Sequence, residues 1–268
     1  MADEDQVGRR HRGARLVQLV TIAVVVMVGS LLISHLLGTG GGSSAATAPP
    51  PVAEHSPGRP IVIPKAPAGS TLVATVHATI PGYATAKSKK PSVSIKPTWH
   101  GETSALPVIR STAGWVDLRL PQRPNGLTAW VKDSDVTFSS TPYKILIDLA
   151  KRQLILFKHQ QLTAAFPAGI GTAADPTPTG QFFVAFFAAP PSAGYGPFVM
   201  VTSGHSNAIS DWESSGDALM AIHGPLGEDS AIGTTGALVS HGCVRLHLAD
   251  LKQLRKIPAG TPIEVVAS

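Results

Sequence analysis

Apolar residues fall along this chain in three regimes. Leu16 to Leu37 carries no formal charge and is mostly Leu, Val and Ile, with Gln18, Thr21, Ser34 and His35 towards its ends. At about 1.5 Å rise per residue such a run spans roughly 30 Å, the thickness of a bilayer core, so 16–37 reads as a transmembrane helix. Arginines 9, 10, 12 and 15 precede it and none follows soon after, which predicts the N-terminus inside and the rest outside. A cleaved signal peptide is the competing reading, with Ala46-Thr47-Ala48 as a small-residue cleavage site. The length of the apolar run favours a retained anchor. Residues 1–15 form a polar tail, and residues 38–60, rich in Gly, Ser and then Pro, form a spacer that has too few apolar side chains for a core.

From residue 61 the apolar runs become short and are cut by turns. Residues 61–140 hold Thr71–Val76, Trp115–Leu120 and Trp130-Val131, the last two flanking Pro121-Gln122-Arg123-Pro124-Asn125-Gly126, where Asn-Gly signals a hairpin. Residues 141–268 hold Ile145–Asp148 and Gln153–Phe157 around a polar turn, then Ala164–Ile170, Gln181–Phe187, Phe198–Thr202 and Leu219–His223. Only Ala249–Lys256 has a helical period, and Pro258-Ala259-Gly260 ends it before a last strand at Ile263–Val266. The expected fold is mainly β, a small barrel-like domain over 61–140 followed by a β-sandwich or barrel over 141–268 with one or two short helices.

Composition changes this picture little. Glycine (26) and proline (23) fit many turns, and a single cysteine excludes an intramolecular disulfide. The net charge of +5 is uneven: residues 61–140 hold nine Lys/Arg against four Asp/Glu, and residues 141–268 hold eight against nine. A basic middle domain suits nucleic acid, an anionic lipid or an anionic wall polymer, or is simply a solvated face. Trp99, Trp115 and Trp130 either line a glycan-binding face or pack in the core, the commoner use.

The candidate chemistry lies between His223 and Arg245. A cysteine nucleophile needs a thiolate, a base that favours it and donors for an oxyanion. Cys243 follows Gly242, whose missing side chain lets substrate approach, and His223 ends a strand-like run before Gly224 and Pro225. An inert buried cysteine and a redox-active thiol are the alternatives. A metal site would draw on His205, His223, His241, Cys243 and His247, but His-x-Cys-x₃-His is not a usual zinc spacing and no paired-cysteine motif exists, so no metal is expected.

In combination the motifs are more specific. Ser240-His241-Gly242-Cys243-Val244-Arg245, with His223 seventeen positions before Ser240, resembles the signature of the YkuD-type L,D-transpeptidase family. The resemblance extends over 142–267 and includes Pro176-Thr177-Pro178-Thr179-Gly180-Gln181-Phe182, Ala221-Ile222-His223-Gly224, Ala231-Ile232-Gly233 and Ala259–Ile263. Gly114–Val136 is similar to a bacterial Src-homology-type small barrel. The family resemblance implies Cys243 as nucleophile and His223 as proton donor and acceptor. Ser240, His241 and Gly224 would shape the pocket, and the N–H groups of Gly242 and Cys243 would meet the oxyanion. Arg245 would bind a substrate carboxylate. Leu248 departs from the asparagine that opens the following helix in many members, which leaves the helix cap to Asp250 or a shifted start. Tyr195 and Trp212, in the insertion 188–212, would contact substrate as part of a lid, or simply pack in a Gly/Pro loop.

The implied reaction is acyl transfer outside the membrane on tetrapeptide stems of peptidoglycan, giving 3→3 cross-links through a thioester. Carbapenem-type β-lactams would acylate Cys243, and no cofactor or nucleic acid is implied. Water in place of the acceptor amine would make the chain an L,D-carboxypeptidase. A non-catalytic wall-binding protein working through 61–140 is the reading from a different class.

Overall fold

The computed structural model describes residues 63–212, 216–234 and 237–267. The tail, anchor and spacer expected over 1–60 lie outside these residues. Among the described residues no helix is long and apolar enough to cross a membrane.

The first domain is a five-stranded antiparallel sheet. Its strands are β1 (Thr71–Val76), β2 (Ala105–Thr112), β3 (Trp115–Arg119), β4 (Thr128–Lys132) and β5 (Val136–Thr141), in the order β4-β3-β2-β1-β5. Alternation decides which face is inside: Val116 and Leu118 of β3 and Ala129 and Val131 of β4 are buried together with Leu106, Ala74 and Val76. Two short hairpins, Ile80–Gly82 with Val93–Ile95 and Thr98–Trp99 with Glu102–Thr103, complete the domain. The tryptophans are half-buried in packing contacts. Trp115 meets Tyr83 edge-on at 5.3 Å, Trp130 lies under the Arg110 guanidinium, and Trp99 packs on Phe186. The Asn125-Gly126 pair does not make a two-residue turn. It sits in a longer loop closed by Leu120 N–H to the Leu127 carbonyl, and Asn125 uses its side chain elsewhere.

The second domain is an eight-stranded mixed sheet. Its strands are β6 (Tyr143–Asp148), β7 (Gln153–Lys158), β8 (Gln161–Pro167), β9 (Gly180–Ala188), β10 (Val199–His205), β11 (Leu219–His223), β12 (Val244–Arg245) and β13 (Pro262–Val266). The order is β8-β7-β6-β13-β9-β10-β11-β12, with parallel pairs at β6/β13 and β11/β12. The helix α1 (Leu248–Gln253) continues into a 3₁₀ turn over Leu254–Lys256, and Leu251 and Leu254 enter the core. No side chain caps it; Leu248, at its first position, instead packs over the glycines described below. The fold is therefore mainly β with one short helix, as the patterning implies.

The two domains do not have separate interiors. Along β9, Phe182 and Val184 belong to the core of the second domain, while Phe183 and Ala185 belong to the core of the first. One strand thus fills two cores from its two faces. Close approach at Gly260, where a Cβ would lie 2.5 Å from Val73 of β1, and a 2.9 Å bond between the Thr141 and Thr261 hydroxyls extend the junction.

Candidate active site

Parallel pairing of β11 with β12 builds the site. Ile222 is opposite Val244 and His223 opposite Arg245, so residues twenty-two apart in sequence become neighbours. Ile222 and Val244 point into the core. His223 and Arg245 therefore point to the other face, and Cys243, just before β12, lies beside Leu219 and Ala221. Its Sγ is 3.9 Å from the Leu219 carbonyl.

The turn that presents Cys243 is tied by one hydroxyl. Ser240 Oγ accepts the Gly242 N–H at 3.1 Å and donates to the Cys243 carbonyl at 2.5 Å. Ser240 lines the cavity, yet it is buried and its hydroxyl is committed to the turn. The Gly242 N–H, expected at an oxyanion, is engaged by Ser240 in this structure. Gly242 has φ +112°, a conformation that a side chain would strain, whereas a Cβ would meet nothing closer than 3.5 Å. Glycine is needed here for the backbone, not for space.

His223 is buried, and its Nδ1–H donates to the Gly224 carbonyl at 2.8 Å, leaving Nε2 as the acceptor. Burial lowers its pKa to about 4, with the Gly224 carbonyl opposing and Arg245 assisting. Burial likewise raises the Cys243 thiol, opposed by a backbone hydrogen bond at Ala221 and by the charge of Arg245. Both groups therefore rest uncharged at neutral pH.

Gly224 is a point of close approach. Its N–H donates to the Tyr195 carbonyl at 2.8 Å, and a Cβ there would come within 2.9 Å of the Gly194 carbonyl oxygen and of Leu248 Cδ2. The contact sets the Tyr195 ring 4.7 Å from the His223 ring. On the far side the Trp212 ring packs at 4.9 Å, tilted by 45°, against His241, whose Nε2 lies 3.8 Å from Asp175. The Pro176–Pro178 segment closes that side, with Thr177 Oγ1 accepting the Gly171 N–H at 2.9 Å. Arg245 lines the cavity too, its Nε buried without a hydrogen-bond partner.

The cavity, about 370 Å³, gathers Tyr195, Trp212, His223, Ser240, His241, Gly242, Cys243 and Arg245, and Gly224 alone of the expected site residues does not line it. It also holds residues that the sequence reading missed: His100 from the tip of a first-domain hairpin, and Ser206, Ile209 and Asp217 from the β10–β11 loop. Burial works to raise the Asp217 carboxyl, but hydrogen bonds from His205, the Ala218 N–H and Arg123 hold it below the usual carboxylate value. Among the described residues no three His, Cys, Asp or Glu side chains are placed to hold a metal ion. The imidazoles weighed as ligands have separate partners: His205 has Pro121 and Asp217, and His247 has Asp229.

The second domain is similar in sequence to known proteins. Residues 142–265 match the family model described as the YkuD L,D-transpeptidase catalytic domain. Two curated relatives named putative L,D-transpeptidase YkuD, from Bacillus licheniformis and Bacillus subtilis, are 28% and 26% identical over 125 residues. The match covers 46% of this chain and 66%, just under two thirds, of each relative. Among solved structures, an L,D-transpeptidase from Mycobacterium smegmatis is 16% identical with a TM-score of 0.39, covering 59% of this chain and 80% of that one. The LD transpeptidase LdtMt1 in complex with imipenem is 17% identical with a TM-score of 0.40, covering 73% and 82%. The family match runs through the second domain, from the first residues of its sheet past the Cys243 turn into β13, so it is this domain that is similar to the YkuD L,D-transpeptidase catalytic domain.

Proposed function

We propose that the chain is a cysteine acyltransferase forming 3→3 cross-links between peptidoglycan stems, with Cys243 as nucleophile and His223 as its base. The observation that carries the reading is that His223, whose Nδ1 faces the Gly224 carbonyl and leaves Nε2 to accept, lines the same cavity as the only thiol of the chain. Because burial keeps the thiol neutral, attack begins from a thiol and an imidazole and not from a ready thiolate–imidazolium pair. As Sγ bonds to the carbonyl carbon of the donor stem's L,D peptide bond, its proton passes to His223 Nε2. The developing oxyanion is met by the Cys243 N–H, and Gly242 contributes only by exchanging its bond to Ser240. The C–N bond then breaks, the proton leaves with the D-alanine amine, and a thioester remains. An acceptor amine gives a proton to His223, attacks the thioester and returns Sγ to its thiol. Atoms balance, and no nucleotide is consumed, since one amide is exchanged for another.

The same cavity would take a carbapenem, whose strained carbonyl acylates Cys243 by the first half of this sequence; the imipenem complex of LdtMt1 is the precedent for that ligand class. Arg245, with its unpartnered Nε, is the candidate for the carboxylate of either ligand. The first domain is read as a Src-homology-type barrel, and segment 16–37 as an anchor that holds both domains outside the membrane.

Incubating the full chain with tetrapeptide stems and weighing the products tests the proposal. A cross-linked dimer is the expected product; tripeptide alone would make the chain an L,D-carboxypeptidase. Cys243→Ala is expected to abolish product while leaving the thermal midpoint close to that of the parent. Turnover retained in that variant would sink the reading.

A further inference from the structure

The β3–β4 loop, Leu120–Leu127, belongs to the first domain, yet its polar groups bond to the second. Arg123 directs every guanidinium nitrogen across the junction: Nε to Asp217 Oδ1 at 3.0 Å, Nη1 to the Ser206 carbonyl at 2.9 Å and Nη2 to the Ile209 carbonyl at 3.2 Å. Asn125 pairs with the backbone of His205 in both directions, donating to its carbonyl at 2.8 Å and accepting its N–H at 2.9 Å. The Pro121 carbonyl bonds His205 Nε2 at 2.7 Å, and the other ring nitrogen meets Asp217 Oδ2 at 2.7 Å.

These targets are not scattered. Ser206 and Ile209 lie where the chain leaves β10, and Asp217 lies where it returns to β11. All three line the Cys243 cavity, as does Trp212 between them, in tilted contact with His241. One arginine from another domain therefore ties the departing and returning ends of a cavity wall together. Two carbonyls and a carboxylate spread around a planar fork suit guanidinium, whereas a lysine ammonium at the end of a flexible stem does not reach all three.

We propose that Arg123 is a positioning residue of the Cys243 site, and that the first domain serves this chain by latching in place the part of the cavity wall formed by residues 206–212 and Asp217. The latch rests on the acyl-transfer reading for its substrate, stem peptides, but not for its geometry. Arg123 touches neither Cys243 nor His223, so its loss leaves the thiol chemistry intact and loosens the wall that holds the substrate.

The test compares full-length Arg123→Ala, Arg123→Lys and Asn125→Ala with the parent chain. Amide hydrogen exchange over 206–212 is expected to accelerate about tenfold or more in Arg123→Ala, while β6 and β13 keep parental protection. Iodoacetamide should alkylate Cys243 at a parental rate or faster. With tetrapeptide stems, kcat/KM should fall roughly tenfold or more, mainly through KM. Arg123→Lys should recover part of both the exchange protection and the KM. Unchanged exchange over 206–212 in all three variants would overturn the latch, and so would a loosened loop with parental KM. If Arg123→Ala does not fold, the Lys and Asn125 variants decide by the same comparison. If the parent chain turns over no stem peptide, the acyl-transfer reading fails, and the exchange comparison, which needs no substrate, still decides the latch.

Discussion

The neutrality of His223 that its proposed base role requires also sets the acid sensitivity of the fold. In the unfolded chain an imidazole takes up its proton near 6.5; in this fold burial lowers that value to about 4. Between the two the unfolded state binds more protons, so the stability contributed by neutral His223 is complete above about pH 6.5 and drains away as pH falls towards 4. The full effect is on the order of 3 kcal/mol. Urea unfolding between pH 7.5 and 4.5 should show that loss in the parent chain and a shallower slope in His223→Asn. The raised Cys243 thiol makes a second prediction: alkylation at pH 7 should run slower than that of a free cysteine and keep rising beyond pH 9. A rate profile that plateaus near neutrality would mean a preformed ion pair. Cys243 and His223 could be singled out from sequence because the proposed chemistry calls for those residue types beside glycine. His100, His205, Arg123 and Asp217 were not, since an imidazole or a charge carries no mark of a partner eighty or more residues away.

At the scale of elements, the long strands follow the alternation of apolar residues, and α1 follows its leucines. The strands that make the site do not. Val244–Arg245 and Leu238–Ser240 are two and three residues long, too short for a period to show, and they exist because β11 and Ile170–Gly171 offer them parallel edges. The Ser240 hydroxyl holds the turn between them, and Ser240→Ala leaves the Gly242 N–H without its acceptor. That change should cost about 1–3 kcal/mol and reduce turnover, read as a lower urea midpoint together with a lower kcat. Gly224→Ala is a sharper probe. The added methyl group meets the Gly194 carbonyl and Leu248, so the Tyr195 loop must move off His223. The expected result is loss of turnover with the far strands β7 and β8 unaltered in amide exchange. Leu248, which looked like a missing cap, is a buttress for that same contact.

For the molecule as a whole, β9 is the decisive strand. Phe183 and Ala185 complete the interior of the first domain although they belong in sequence to the second. Phe183→Ala should lower stability by about 3–5 kcal/mol and do so in a single calorimetric transition, with no separate melting of the first domain. Two resolved transitions would contradict a shared interior. Residues 61–140 have the look of an appended module in the sequence, with their own turns and basic charge. Nothing in the pattern Gln181–Phe187 announces that its two faces serve different interiors, because a strand buried on both sides reads as one apolar run. The shared strand bears on inheritance as well as on stability. An accessory domain joined by a linker alone can be traded between proteins by a single recombination event. Here the donor would have to bring residues 180–188 along with it, from deep inside the recipient's catalytic sheet. The pair is heritable only as a unit, and chimeras that splice at residue 140 should emerge insoluble, whereas those that also transplant β9 should not.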